Sequence, residues 1–386
     1  MKQFTKLGLA LSMASMLLLT ACTPPGGSDS ASGKGDGGGE ILIGMQSPTT
    51  GSEAKMGQDI NNAIQMAADE INAKGGLLGG KKIKLVAADD ACDPQTATAA
   101  ANKLVSQNVV AVVGGYCSGA TLPATGVYHS NGTPMVVTAA NSAKIPAQGY
   151  GEIFLTNGTT VNQGASASDY MINKLHAKKI ALVHDNSAYA KDLAEITKKA
   201  VEAAGGQVVA FEAVNPEEKD FTILLTKLKT AKPDATYWTA YYAAGGLLIK
   251  QFHQLGIGGA IGVGDGSNDK TLIDLAGKDA AEGTFVTTSP TPEFIADAKG
   301  FVENYKKQFN ADPGPYSALS YDGMRLLADA ITRANSTDKA AIVKALQATS
   351  AFKTFGGSVS FQQDGTLEKS NFIVLTTHDG AFTLPQ

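Results

Sequence analysis

The chain has 386 residues, 32 basic and 36 acidic side chains, a formal net charge of −4, and 43% hydrophobic content. That balance is typical of a soluble globular protein, and it excludes a nucleic-acid surface, which needs a basic excess. After Cys22 no stretch is apolar and long enough to cross a membrane.

The chain opens with Lys2 and Lys6, then an apolar run from Leu7 to Leu19. A basic start followed by a short apolar stretch is the layout of an export signal. The run is shorter than the ~20 residues of a spanning helix. It ends in Leu19-Thr20-Ala21-Cys22, which resembles the lipobox of bacterial lipoproteins, where the cysteine is acylated and becomes the new N-terminus. A cleaved signal with a chance cysteine is the alternative. Thr23 to Gly39 is rich in glycine, serine and proline and nearly free of apolar residues, which predicts a flexible leash reaching about 20–25 Å. The expected localisation is therefore exported, periplasmic or at the cell surface, anchored to the membrane only through lipid on Cys22. Thr23 in place of an aspartate resembles outer-membrane sorting.

From Glu40 the chain is long enough for two ordinary domains. Strand-like runs alternate with helical periodicity. Strand Ile41–Gln46 precedes helix Gly57–Ala73, whose Ile60, Ile64, Ala67, Ala68 and Ile71 fall on one face. Strand Ile83–Ala87, helix Pro94–Val105, strand Val109–Val113, helix Ser118–His129 and strand Met135–Thr138 follow. The rhythm resumes with helix Val161–Leu175, strand Ile180–His184, helix Ala188–Ala204, strand Gln207–Glu212, helix Phe221–Thr230, strand Ala235–Thr239, helix Ala243–Leu255 and strand Ala260–Val263. Three helices, Pro292–Phe309, Ala318–Ala334 and Lys339–Ala348, precede two expected strands, Val359–Phe361 and Phe372–Thr376. This alternation predicts an α/β protein with doubly wound parallel sheets. Strands this numerous predict two lobes rather than one sheet.

Catalytic signatures are missing. None of His129, His176, His184, His253 and His378 has metal-binding spacing, and there is no nucleophile elbow or phosphate loop. Gly75–Gly80 follows a helix and precedes a strand, the reverse of a dinucleotide loop, and reads as a turn. Asp89, Asp90 and Asp93 read as a solvated strand end, with a cation site as the alternative. Lys81, Lys82 and Lys84 read as a solvated edge. No catalytic residue, metal or cofactor is expected. With Cys22 assigned to lipid, Cys92 and Cys117 remain as one pair in an oxidising compartment, or as two buried thiols. A bond between them would stabilise by about 3 kcal/mol.

The informative residues are small or polar ones where strands end, the place where open α/β sheets bind ligands. They are Gly114-Gly115-Tyr116-Cys117-Ser118, Ala139-Ala140-Asn141-Ser142, Asp185-Asn186-Ser187-Ala188-Tyr189, Tyr241-Tyr242 and Asp265-Gly266-Ser267. Singly, Ser118 and Ser187 read as helix caps, Asp265 as a cap or turn residue and the tyrosines as packing. Jointly they predict a binding cleft.

These residues, with Ile71-Asn72-Ala73-Lys74-Gly75-Gly76, Asp89-Asp90-Ala91-Cys92-Asp93-Pro94, Gly115-Tyr116-Cys117-Ser118, Val183-His184-Asp185, Glu218-Lys219-Asp220-Phe221 and Ala281-Glu282-Gly283, make the chain resemble the leucine/isoleucine/valine-binding proteins. Those are substrate-binding components of branched-chain amino-acid ABC importers, of the type I periplasmic binding protein family. The resemblance implies two α/β lobes joined by a three-segment hinge: 40–159 with 288–367, and 160–287 with 368–386. It implies a Cys92–Cys117 disulfide, a monomer, and an ABC permease as partner. It implies that Ser118 and the Asn141 N–H hold an α-carboxylate, and that Ala139, Asn141 and Asp265 hold an α-ammonium, with Ala140 beside them. Tyr189 and Tyr241 would close from the second lobe, while Tyr116, Cys117, Met56 and Tyr316 would line the side-chain pocket. Met56, Asn141, Asp265 and Tyr116 stand where the family usually has tyrosine, threonine, glutamate and leucine. The expected function is capture of a small amino acid, branched-chain or a related aliphatic or aromatic one, in the interlobe cleft and its delivery to an ABC importer; an amide, urea or aromatic acid is the alternative ligand, and a sensory module the alternative role. An exported enzyme is the disfavoured reading.

Overall fold

The computed structural model describes residues 39–370 and 372–385. The expected signal peptide, Cys22 and nearly all of the leash lie outside the described residues. The first sheet is built by β1 (Glu40–Ser47), α1 (Ala54–Ala73), β2 (Lys82–Asp89), α2 (Pro94–Ser106), β3 (Ala111–Gly114), α3 (Ser118–Ser130), β4 (Met135–Val137) and β5 (Ile153–Leu155). Its strands run parallel in the order β2-β1-β3-β4-β5. The strands β3, β4 and β5 are buried along their whole length, as expected of parallel strands covered on both faces.

The chain then crosses to α4 (Thr160–Asp169), β6 (Lys179–His184), α5 (Ala188–Ala203), β7 (Gln207–Ala213), α6 (Thr222–Ala231), β8 (Ala235–Trp238), α7 (Tyr242–Gln254), β9 (Ala260–Val263), α8 (Lys270–Ala276), α9 (Lys278–Ala281) and β10 (Phe285–Thr288). After β10 it returns to the first sheet through α10 (Lys299–Phe309), α11 (Ser317–Ala334), α12 (Lys339–Gln347) and the hairpin β11 (Phe352–Thr354) and β12 (Gly357–Val359). There α11 packs on α1, β3 and β4. A third crossing leads to β13 (Ile373–His378) and β14 (Ala381–Thr383). The second sheet has the order β14-β13-β10-β9-β8-β6-β7, with β13 antiparallel to both β10 and β14 and the rest parallel.

Local chemistry explains the boundaries. The Asp93 side chain accepts from Thr96 N at 2.7 Å and Pro94 occupies the first turn, so α2 starts at Pro94. Asp89 accepts from Thr49 N at 2.7 Å and Thr50 Oγ1 at 2.6 Å, so this strand-end carboxylate is occupied by local turns. Leu77 and Lys81 exchange backbone bonds of 2.8 Å, which makes the glycine-rich segment a turn. At the end of β3, Gly114 has φ +127°, and a Cβ there would lie 2.3 Å from the Gln46 carbonyl. Only glycine lets β1 and β3 approach at the point where the cleft begins.

Three expectations change. The helix expected over 161–175 ends as α-helix at Asp169 and continues as one wide π turn, Tyr170–Lys174. The helix expected from Pro292 is two separate 3₁₀ turns, Pro292–Phe294 and Ala296–Ala298, and becomes α-helical at Lys299; the extended backbone of Ile295 (φ −105°, ψ 111°) separates them. The strand expected over 359–361 lies earlier, at β12, while Phe361 makes a single bridge to Leu367. The short strands β5, β10, β11 and β14 and the short helices α8 and α9 were not foreseen.

Candidate functional site

The turn after β3 places Tyr116 and Cys117, and α3 starts at Ser118. Cys92 and Cys117 are bonded, with Cα atoms 5.3 Å apart, which ties the α2 entrance to the N-terminus of α3. Cys117, not Ser118, is the capping residue of α3. The Ser118 hydroxyl instead accepts from Ser142 N at 3.2 Å, joining two strand ends. Its helix terminus carries N–H groups without intrahelical acceptors and the positive end of the helix dipole. Ala139 N and Ala140 N both donate to the Gly115 carbonyl, at 3.2 and 2.9 Å, and fix the loop after β4. The Ala139 carbonyl accepts from Asn157 Nδ2 at 2.9 Å.

The second sheet supplies the opposing wall. Asp265 begins a short 3₁₀ turn after β9 and is buried. Tyr189, on the first turn of α5 that Ser187 caps, donates to Asp265 Oδ1 at 2.6 Å. Asn141 Nδ2 donates to Asp265 Oδ2 at 3.1 Å and to Gln163 Oε1 at 3.0 Å. The Asn141 amide oxygen is thereby turned away from both. Gln163 Nε2 reaches Tyr189 Oη at 3.2 Å. Burial pushes the Asp265 carboxyl up to about 6, against hydrogen bonds from Tyr189, Gln163 and Tyr316.

Aromatic rings surround this polar centre. Tyr116 lies 5.8 Å from Tyr241 and 5.5 Å from Tyr316, and Tyr241 lies 5.6 Å from Tyr189. Ser118, Ala139, Ala140, Asn141, Tyr116, Cys117, Met56, Tyr189, Tyr316 and Asp265 are all buried, and Tyr241 is half-buried. The strand ends of the two sheets thus meet face to face. A second bridge runs beside them. Asp192 of α5 accepts from Ser142 Oγ, Ala143 N and Thr160 Oγ1 at 2.8, 2.9 and 2.7 Å.

Sequence reasoning missed Gln163, Asn157, Asp192 and Glu53. Gln163 carried a signal, because it sits on the inward stripe of α4 with Thr160, Gly164 and Ala167. A polar residue at an apolar phase of a helix needs a buried partner. Glu53 precedes α1 without capping it, and its carboxylate lies 3.3 Å from the Tyr116 hydroxyl. Asn157 stands in the first crossing, where no periodicity distinguishes it.

A cavity of about 470 Å³ opens beside the aromatic rings and is lined by Glu53, Cys117, Gly119, Asp185, Ser187 and Tyr241, among others. A larger cavity of about 940 Å³ holds none of the expected site residues. Lys55 and Asp269, paired at 2.6 Å, are among its lining residues, with Asp59, Phe294, Pro313 and Phe382. The arrangement can bind a small polar molecule at the strand ends. His184 is committed to local structure, since its Nδ1 accepts from Asn186 N at 3.1 Å. Among the described residues no group of His, Cys, Asp and Glu could hold a metal ion.

Residues 40–381 match the family described as periplasmic binding protein. The chain is 34% identical to the leucine-, isoleucine-, valine-, threonine- and alanine-binding protein of Pseudomonas aeruginosa, over 88% of this chain and 91% of that one. It superposes on a leucine-binding protein of Thermotoga maritima with a TM-score of 0.84 and 29% identity, covering 90% of this chain and 98% of the other. It superposes on a branched-chain amino-acid transporter substrate-binding protein of Streptococcus pneumoniae, solved with isoleucine, with a TM-score of 0.82 and 31% identity, covering 89% and 97%. These relatives are binding proteins, and the superpositions show that this chain has the type I periplasmic binding protein fold. The chain belongs to the periplasmic binding protein family.

Proposed function

We propose that this chain is an extracytoplasmic receptor that closes on a zwitterionic amino acid and delivers it to an ABC permease. The observation that carries the reading is the buried Asn141–Asp265 contact, which joins the end of β4 to the end of β9 beside the N-terminus of α3. A carboxylate and a helix N-terminus on opposite walls suit the two charged ends of a zwitterion. In this reading Ser118 and the Asn141 N–H receive the α-carboxylate. Asp265, the Asn141 side chain (its amide rotated to present the oxygen) and the Ala139 carbonyl receive the α-ammonium, with Asn157 yielding the Ala139 oxygen when ligand enters. Ala140 shapes the loop, Tyr189 and Tyr241 close over the head group, and Tyr116, Cys117, Met56 and Tyr316 face the side chain.

The moving bodies are residues 40–159 with 288–367, and 160–287 with 368–386. Ligand favours the closed form through contacts made to both walls at once. A lipid on Cys22 would keep a monomeric receptor beside its permease, and palmitate labelling that spares Cys22 would remove that tether. The binding test is isothermal calorimetry of the purified chain with the twenty amino acids, urea, short amides and benzoate. At least one amino acid is expected to bind at micromolar affinity. If every amino acid binds only at millimolar concentration or above, the reading fails.

A further inference from the structure

Among the described residues, every ion pair but one stays within the elements of a single sheet. The exception joins Lys55 of α1 to Asp269 at the start of α8, with Nζ 2.6 Å from Oδ2 and 2.8 Å from Oδ1. Three residues before Lys55, the Ser52 carbonyl accepts from the hydroxyl of Tyr242, the first residue of α7, at 2.6 Å. The helices α7 and α8 pack on each other. Residues 52–55 on the first-sheet side are thus gripped from two adjoining helix starts on the second-sheet side. No residue of this grip belongs to the polar centre of Asn141, Asp265 and Ser118.

Both ends of the grip are fixed to their own sheets. At the end of β1 the Ser47 hydroxyl donates to Asn61 Oδ1 at 2.7 Å. A Cβ on Gly57 would lie 1.5 Å from the Pro48 carbonyl oxygen, so the first turn of α1 rests directly on the chain leaving β1. Across the cleft, Asp269 accepts from Thr271 N at 2.7 Å and caps α8, while Asn268 Nδ2 donates to Thr288 Oγ1 at 3.0 Å at the end of β10. Opening the angle between the sheets therefore breaks the two contacts rather than bending either anchor. Asp269 is 4% exposed, and a carboxylate buried to that degree needs its cation. Lys55 is that cation, since the neighbouring Lys270 pairs with Asp274. The Lys55 side chain stays half-exposed, which leaves the pair open to screening by salt.

We propose that Lys55, Asp269, Tyr242 and the Ser52 carbonyl form a clamp that sets the share of closed molecules before any ligand arrives. This rests on the reading of the chain as a receptor whose two bodies close on ligand. All four partners are protein groups, so the clamp favours the closed form by itself. The apparent dissociation constant is then the intrinsic one divided by the closed fraction. Lys55 and Tyr242 are positioning residues in this account. They strengthen binding without touching ligand, and by one factor for every ligand. The residues that choose the ligand and those that set how readily the cleft closes lie at separate places along it.

Small-angle X-ray scattering of the ligand-free full chain tests this, with Lys55→Met, Tyr242→Phe and the double variant Lys55→Met/Asp269→Asn. The asparagine keeps an α8 cap and removes the unpaired charge. Both single variants are expected to have a larger radius of gyration than the wild type, and the double variant to be no more open than Lys55→Met. The wild type is expected to expand between about 20 and about 500 mM salt, and the double variant not to. Calorimetry with L-leucine and L-isoleucine is expected to show each single variant weaker by about three- to tenfold, with the same factor for both amino acids. Unequal factors would put the residue at the ligand and overturn the positioning role. Ligand-free scattering that is the same for the wild type and both single variants would overturn the clamp. Tyr242→Phe, which removes one oxygen atom, and the wild-type salt series decide the matter if Lys55→Met does not fold. Failure of every amino acid to bind would overturn the receptor reading, and the scattering would still decide the clamp.

Discussion

At the scale of single residues, the site depends on buried polar groups whose partners come from distant parts of the chain. Asp265 shows this most directly, because Tyr189 and Asn141 hold its two oxygens from different walls. Asp265→Asn keeps the shape and removes the charge opposite the ammonium. A charge-assisted hydrogen bond contributes about 1.5–3 kcal/mol, so amino-acid affinity should fall about ten- to a hundredfold by calorimetry. A loss below about threefold would take Asp265 out of ammonium binding. Asp192 acts differently, since it bridges Ser142, Ala143 and Thr160 without reaching the strand-end centre. Asp192→Ala leaves the Ser142 and Thr160 hydroxyls without this acceptor, at about 1–3 kcal/mol for a buried group, while Ala143 N keeps its bond to Thr160 Oγ1 at 3.0 Å. It is expected to weaken every ligand by the same factor, with the ranking among ligands unchanged. A changed ranking would mean that Asp192 touches ligand. Asp265 was legible in the sequence because it follows a strand. Asp192 was not, because a carboxylate inside an amphipathic helix looks like any solvated face until the fold brings three donors to it.

At the scale of elements, the Cys92–Cys117 bond joins the α2 entrance to the N-terminus of α3, across a sequence separation of 25. Removing it with Cys92→Ala and Cys117→Ala should lower the unfolding free energy by about 3 kcal/mol in denaturant titration. Ligand affinity should fall as well, because the bond positions the turn that carries Ser118. A double variant with unchanged affinity would show that the helix terminus is placed by the sheet alone. The alternation of strands and helices could be read directly, since apolar runs and helical stripes are set by neighbours in the chain. The misses share one cause. The strands β5, β10, β11 and β14 have three or four residues each, too few for a period to register. The segment from Pro292 to Ala298 looked helical by composition but lies where the chain crosses between sheets, and there direction changes override propensity.

At the scale of the whole molecule, burial of acids sets the response to pH. Burial raises Glu53 to about 8 and Asp59, Asp90, Asp265 and Asp322 to about 6. In the window from about pH 4 to 8 the folded chain therefore holds more protons than the unfolded chain, and stability falls as pH rises. Exposed carboxylates act in the opposite sense. Hydrogen bonds from the Lys179 and Lys178 amides lower Asp234, and those from Thr96 lower Asp93, so their contribution is present above the ordinary carboxylate range and is lost as pH falls through it. The ligand-free protein should thus melt at a higher temperature at pH 5 than at pH 8. Glu53→Gln should flatten the upper part of that profile, between about pH 6 and 8. Equal or rising melting temperature from pH 5 to pH 8 would contradict this account.

The sequence alone determined the α/β class, the doubling into two sheets, the family likeness and the strand ends at which ligand chemistry gathers. These depend on local periodicity and on short motifs, which act through neighbours a few residues apart. Only the tertiary structure decided which strand ends face each other. Asn141 meets Asp265 across 124 positions, Tyr116 meets Glu53 across 63 and Gly266 across 150. Such pairs arise from crossing connections and from closure of one sheet on another. No periodicity encodes them, because their energy comes from burying polar groups together once the backbone has already placed them.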